Sequence, residues 1–242
     1  MLSVAAEKSL RELVLESPAA THILEELGID CCCGGSQSLE QACLVANLPI
    51  DQVLHSLEAA DLPSQPAGSL RDWQQEALAD LVEHITSTHH KYTRDAIARL
   101  APLFAKVSSV HGKNHSELYS IQASFLGLAD ELTMHLLKEE MMLFPYIVRM
   151  EESVIEKQPI LPPPFGTVQN PVSIMMHEHD SAADALRAMR KASGGYSAPA
   201  DACVSCQTLY SALGEFEADL HQHIHLENNI LFPRAIAMEQ TH

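Results

Sequence analysis

The chain has 242 residues, of which 46% are hydrophobic and 19% charged, with a formal net charge of −17. That length suffices for one helical core and a small second domain. The charge excludes a nucleic-acid binder, because nothing would neutralise phosphates, and it disfavours docking on anionic lipid. No run approaches the ~18 apolar residues that a bilayer span needs, so no membrane partner is expected.

The opening MLSVAAEKSLRELVLE is charged and amphipathic, without the apolar stretch of a secretion signal. Three of the six cysteines are adjacent, at Cys31, Cys32 and Cys33, and Cys43, Cys203 and Cys206 are scattered. Adjacent cysteine side chains diverge and do not reach relaxed disulfide geometry. The pattern reads as reduced thiols, and the expected location is the cytoplasm.

Residues 1–61 read as a small helical domain. Ser17-Pro18 starts one helix, Ile23, Leu24 and Leu27 mark its apolar face, and Gly28 stops it. The turn CCCGG follows, and then two short helices broken at Leu48-Pro49. Residues 62–69, rich in Pro, Gly and Ser, form a linker. Residues 70–242 supply four long helices at about 70–107, 114–152, 171–193 and 200–238, joined by two short reversals and one proline-rich crossover. No strand-like alternation competes. The fold class is all-α, an antiparallel four-helix bundle with a small N-terminal helical domain.

The second and fourth helices each carry His-x-x-x-Glu, as His135/Glu139 and His223/Glu227. A spacing of four places both side chains on one helix face. Leu143-Phe144-Pro145 and Leu231-Phe232-Pro233 follow at the same offset from their histidines, and this internal echo singles the two pairs out. The first and third helices offer His84 in LVEHI and His179 in MMHEHD. The start of one antiparallel helix is level with the end of the next, so all six side chains can share one layer of the core. Imidazole suits divalent iron, and carboxylates bridge two metals and offset their charge. The expected cofactor is a pair of iron ions held by His84, His135, Glu139, His179, His223 and Glu227, with an oxide or hydroxide bridge reducing the remaining positive charge.

Other histidines are set aside. His89 and His90 read as surface residues or outer support, while His177, His221 and His225 point away from the layer on helical spacing. His111 lies 27 residues after His84, roughly 40 Å along a straight helix, and is left out. Cys203-x-x-Cys206 falls on the first turn of the fourth helix and reads as incidental.

With these residues in place, the chain resembles the repair-of-iron-centres proteins, the YtfE/ScdA family, over almost its whole length. The landmarks are GIDCCCGG at 28–35, VHGKNHSEL at 110–118, HLLKEEMMLFP at 135–145, HEHD at 177–180 and HIHLENNILFP at 223–233. The resemblance implies an ScdA-type domain joined to a hemerythrin-like di-iron bundle, with Glu139 and Glu227 as bridging carboxylates. It places the family's thiol pair on Cys32 and Cys33, which would act in iron transfer or redox chemistry, and Cys31 departs from the family pattern. It also implies repair of iron–sulfur clusters damaged by nitric oxide or peroxide through iron donation. Damaged or apo iron–sulfur proteins would be partners, and nitric oxide or dioxygen small ligands. The residues alone leave open a nitric oxide reductase, or a gas or iron sensor, at the same centre. A metal store joined to thiols favours an iron-donating factor over a turnover enzyme.

Overall fold

The computed structural model of the chain describes residues 6–17, 20, 21, 23, 24, 27–29, 31, 34–60 and 71–241. The 62–69 linker and the Cys32/Cys33 pair lie outside the described residues. No strand forms among those described, and helices account for the rest of the regular structure. No described helix is long and apolar enough to cross a membrane.

The chain divides into two compact units, Met1–Glu76 together with Ile224–Ile230, and Ala77–His223 together with Leu231–His242. In the first unit, α1 (Leu10–Glu16) and α2 (Leu39–Ala46) begin with capping boxes, Ser9 with Glu12 and Ser38 with Gln41. Each serine takes a backbone N–H that the first helical turn cannot satisfy internally. The two caps also meet, through an antiparallel bridge between Ser9 and Ser38. Asn47 ends α2 in the left-handed conformation, which asparagine tolerates, and α3 (Ile50–Ala60) follows. The core gathers Leu10, Val14, Leu24, Cys31, Leu39 and Val53. Asn229 donates its amide to the Cys31 carbonyl at 3.3 Å.

The second unit is the bundle, apart from Ile224–Ile230 of its fourth rod, which cluster with the first. Its first rod is α4 (Leu78–His84), a π-helical turn (Ile85–His90) and α5 (Lys91–His111). The second is α6 (Glu117–Lys138), a π-turn (Glu139–Leu143) and α7 (Phe144–Ile155). The third is α8 (Gln169–Ala192). The fourth is α9 (Val204–His225), a π-turn (Leu226–Leu231) and α10 (Phe232–Thr241). The sequence boundaries hold to within a few residues except at the first rod, which starts at Leu78 rather than near 70. Its opening N–H groups, on Leu78 and Ala79, donate to the Glu151 carboxylate at 2.7 and 2.8 Å, so a side chain from the second rod caps the first. Away from the polar layer the core is aromatic, with Phe104, Phe125 and Phe216 in a chain of ring contacts at 5.1 and 5.7 Å.

The echoed prolines account for two of the π-turns. A proline inside an α-helix lacks an N–H and clashes with the carbonyl four residues back. A wider i→i+5 turn ahead of Pro145 and Pro233 relieves that clash and lets the rod continue. In the first rod no proline stands just beyond the π-turn, and Pro102 lies 12 residues further on inside α5. Within that turn Thr86 donates its hydroxyl to the Val82 carbonyl at 2.8 Å, the back-bonding that loosens an α-helical ladder.

Candidate metal centre

Two groups of buried side chains converge in the bundle: His90, Glu139, His223 and Glu227, and His135, Glu139, His179 and Glu227. Within each group one donor atom per residue lies within 4.8 Å of every other. Glu139 and Glu227 belong to both. They stand four residues after His135 and His223, so each His/Glu pair shares a helix face, and the adjoining π-turns place the carboxylates toward the bundle axis.

The structure corrects one member of the expected set. His90, not His84, completes the first group. His84 is half-buried and accepts or donates at 3.4 Å from Thr88 Oγ1, edge-on to His89. The two positions are six residues apart, about 9 Å along the axis, so only one can lie in the ligand layer. His90 stands 22 residues before Gly112 and His135 stands 21 residues after Asn114, so the two are nearly level across the turn. That count, made from the connecting turn instead of from the helix start, would have identified His90 in the sequence. His89 and His90 are both buried, which rules out the surface alternative for both and leaves His89 as outer support. His89 is bonded to Asp219 at 3.0 Å. Described residues His111, Cys203 and Cys206 lie outside both groups, as do His177, His221 and His225.

The layer is polar and buried. His90, His135, His179, His223, Glu139 and Glu227 are all buried, with both glutamates at 0% exposure. His90 and His223 bring their Nε2 atoms to 3.2 Å, and His135 and His179 theirs to 3.0 Å. Neither Glu139 oxygen accepts a hydrogen bond, although Oε2 lies 3.4 Å from the Nε2 of both His90 and His135. A fully buried carboxylate left in this state costs several kcal/mol unless something cationic meets it. Two pairs of converging imidazole nitrogens around two shared carboxylates fit a pair of divalent cations, and the donor set suits iron.

An outer layer orients the imidazoles. Glu140 accepts from His90 Nδ1 at 2.8 Å and from Arg94 at 2.7 Å. Glu178 accepts from His135 Nδ1 at 2.8 Å and from Lys138. Burial pushes both carboxyls up. Their basic partners outweigh it, Arg94 and His90 at one and Lys138 and His135 at the other, and hold both below the usual carboxylate range. Each Nδ1 donating outward leaves Nε2 as the inward donor atom, the arrangement that histidine ligands take. The sequence reading omitted this layer, although Glu140 and Glu178 stand directly beside Glu139 and His179.

This geometry is that of a hemerythrin-like bundle. The chain matches the Hemerythrin HHE cation binding domain over residues 81–235 and the ScdA_N domain, a domain of unknown function, over residues 6–61. It is 36% identical over 233 residues to the iron-sulfur cluster repair protein YtfE of Dickeya chrysanthemi, covering 96% of this chain and 98% of that protein. The YtfE proteins of Pectobacterium atrosepticum and Musicola paradisiaca are 35% and 34% identical, again with 96% of this chain and 98% of theirs covered. The chain belongs to the YtfE family of iron–sulfur cluster repair proteins.

Proposed function

We propose that this protein repairs damaged iron–sulfur clusters by supplying iron from a dinuclear centre in its bundle. One metal would take His90 and His223 and the other His135 and His179, with Glu139 and Glu227 bridging both. The observation that carries this reading is the sharing of Glu139 and Glu227 between the two buried groups. Bound iron supplies the cargo, and its ferrous form is labile enough to be handed on.

The chain's own residues set the terms of release. Four imidazoles hold metal only while Nε2 is unprotonated, so a proton reaching any of them weakens retention. Glu140 and Glu178 oppose this by fixing the Nδ1 proton outward on His90 and His135. The clients are damaged or apo iron–sulfur proteins, and Cys32 and Cys33 serve as thiols that receive iron on its way out.

Labelled iron decides the matter. Protein loaded with labelled iron is mixed with an apo iron–sulfur enzyme and sulfide, and separately with nitric oxide and a reductant. Repair gives label in the client, recovered client activity, and slower transfer after Cys32→Ser/Cys33→Ser. Many turnovers of nitrous oxide, with all label still in the bundle and no client recovery, would establish a nitric oxide reductase instead.

A further inference from the structure

A separate constellation stands at the other end of the first rod. His111 closes α5, 21 positions after His90, about 30 Å along the axis. Its Nε2 lies 3.1 Å from Sγ of Cys203. Cys203 is exposed and immediately precedes α9, while Cys206, three residues on, is 1% exposed. The backbone N–H groups of Cys206 and Ser205 point at the Cys203 sulfur, so the thiol sits where a helix offers its unsatisfied donors. Around it, His115 Nε2 contacts Asp201 Oδ1 at 3.0 Å and its Nδ1 contacts Glu117 Oε1 at 3.2 Å. These cysteines and histidines belong to neither metal-ligand group.

We propose that Cys203 and Cys206 form a dithiol–disulfide exchange site, with Cys203 attacking, Cys206 resolving and a small organic disulfide as substrate. The two sulfurs differ as exchange requires. Hydrogen bonds from the Cys206 N–H and from His111 draw the Cys203 thiol below its usual range, whereas burial pushes the Cys206 thiol up. The exposed one is therefore the nucleophile and the buried one waits as a protonated thiol.

The steps balance. The Cys203 thiolate attacks one sulfur of the substrate disulfide; a Cys203–substrate disulfide forms, the substrate S–S bond breaks, and one substrate thiolate leaves. Cys206 then gives its proton to that thiolate and attacks the Cys203 sulfur. The Cys203–Cys206 bond forms and the second substrate half leaves as thiolate. Two cysteine sulfurs are oxidised and two substrate sulfurs reduced. Side chains three apart on a helix start ~5–6 Å apart at Cβ, and a disulfide needs about 3.5–4.5 Å. Cys203 precedes the helix, so its backbone can shift by the difference.

The test uses the full, metal-loaded chain and bis(2-hydroxyethyl) disulfide, which is uncharged and indifferent to the nearby Asp201 and Glu117. Trypsin releases residues 192–234 as one peptide holding both cysteines and no other, so mass spectrometry reads the site alone. Wild type should yield that peptide shorter by two hydrogens. Cys206→Ser should trap one hydroxyethylthio group on Cys203, and Cys203→Ser should give neither product. His111→Gln should slow adduct formation at pH 7, because losing the imidazole contact lowers the thiolate fraction of Cys203, with no slowing at pH 10. Metal content and helicity of each variant establish that the bundle is intact. An adduct that persists in wild type, preferential reaction at Cys206, or no rate change at pH 7 in folded His111→Gln would each overturn the proposal.

Discussion

His90 and His223, 133 positions apart in the chain, approach to 3.2 Å between their Nε2 atoms. Two ring nitrogens at that distance, with Glu139 Oε2 at 3.4 Å from one of them, fit the ligand pair proposed above and distinguish His90 from its neighbours. His90→Ala should therefore lose bound iron, while His84→Ala should retain the wild-type content. Elemental analysis of the two purified variants is sufficient; iron loss in His84→Ala alone would return the ligand role to that position.

The shared carboxylates should weigh more than any one imidazole. Glu139→Ala or Glu227→Ala takes a donor from both groups, whereas His179→Ala takes one from a single group. Iron per chain should approach zero in the glutamate variants and fall only partway in His179→Ala. Full iron in either glutamate variant would rule out the bridging role.

Glu140 and Glu178 should matter without touching metal. Losing such an outer carboxylate costs roughly 10–100-fold in metal affinity. Glu178→Gln, read by competition with a chelator, should fall in that range with helicity unchanged. An affinity equal to wild type would mean that the His135 tautomer is fixed by something else.

The His115/Asp201 pair gives a pH signature. The hydrogen bond that Asp201 accepts from His115 raises the His115 pKa and lowers that of Asp201. A raised histidine contributes fully below about 6.5, its unfolded value, and loses its contribution as pH rises through the folded value. A lowered aspartate contributes above about 3.9 and loses it as pH falls through its folded value. The pair therefore supports the fold most between about pH 4 and 6.5, weakly, since surface pairs are well screened. In an NMR titration the His115 midpoint should lie above 6.5 in wild type and drop in Asp201→Asn. Equal midpoints would contradict the contact.

Gly35 should tolerate no side chain. A Cβ there would lie 2.7 Å from Asn229 Oδ1 and 3.4 Å from Arg11 Cβ, so Gly35→Ala must displace the carboxamide that holds the Cys31 carbonyl. Displacement costs about 1–3 kcal/mol for strain and the freed polar group. Chemical denaturation should register that loss, and hydrogen exchange should rise around 31–35. A stability equal to wild type would show that Asn229 moves freely.

The bundle and five of its six converging side chains were legible because the signals are local. Four-residue spacing fixes a helix face, and the repeated Leu-Phe-Pro fixes which pairs correspond. His90 is hidden behind His84 for a non-local reason: the height of the layer depends on where the helix starts, and Glu151, far along the chain, caps that start at Leu78. The outer carboxylates were missed because Glu140 and Glu178 look like solvated charges until Arg94 and Lys138 are seen beside them. The His111–Cys203 contact spans 92 positions, and nothing in either neighbourhood announces the other.

The π-turns have a consequence for how the chain tolerates changes in length. Each holds one residue more than an α-helical turn, so it works as a phase shift of roughly 100°. Removing a residue from Glu139–Leu143 or Leu226–Leu231 would restore a regular helix. It would also twist the remainder of that rod, turning Phe144 or Phe232 out of the core while His135 and His223 stayed in place. The crossover at 156–168 has no such phase to keep, and a residue lost in its exposed stretch before Pro163 leaves the Phe165 and Val168 contacts in place. Single-residue deletions in this chain are thus sorted by helical winding: ruinous beside the ligands and mild in the crossover.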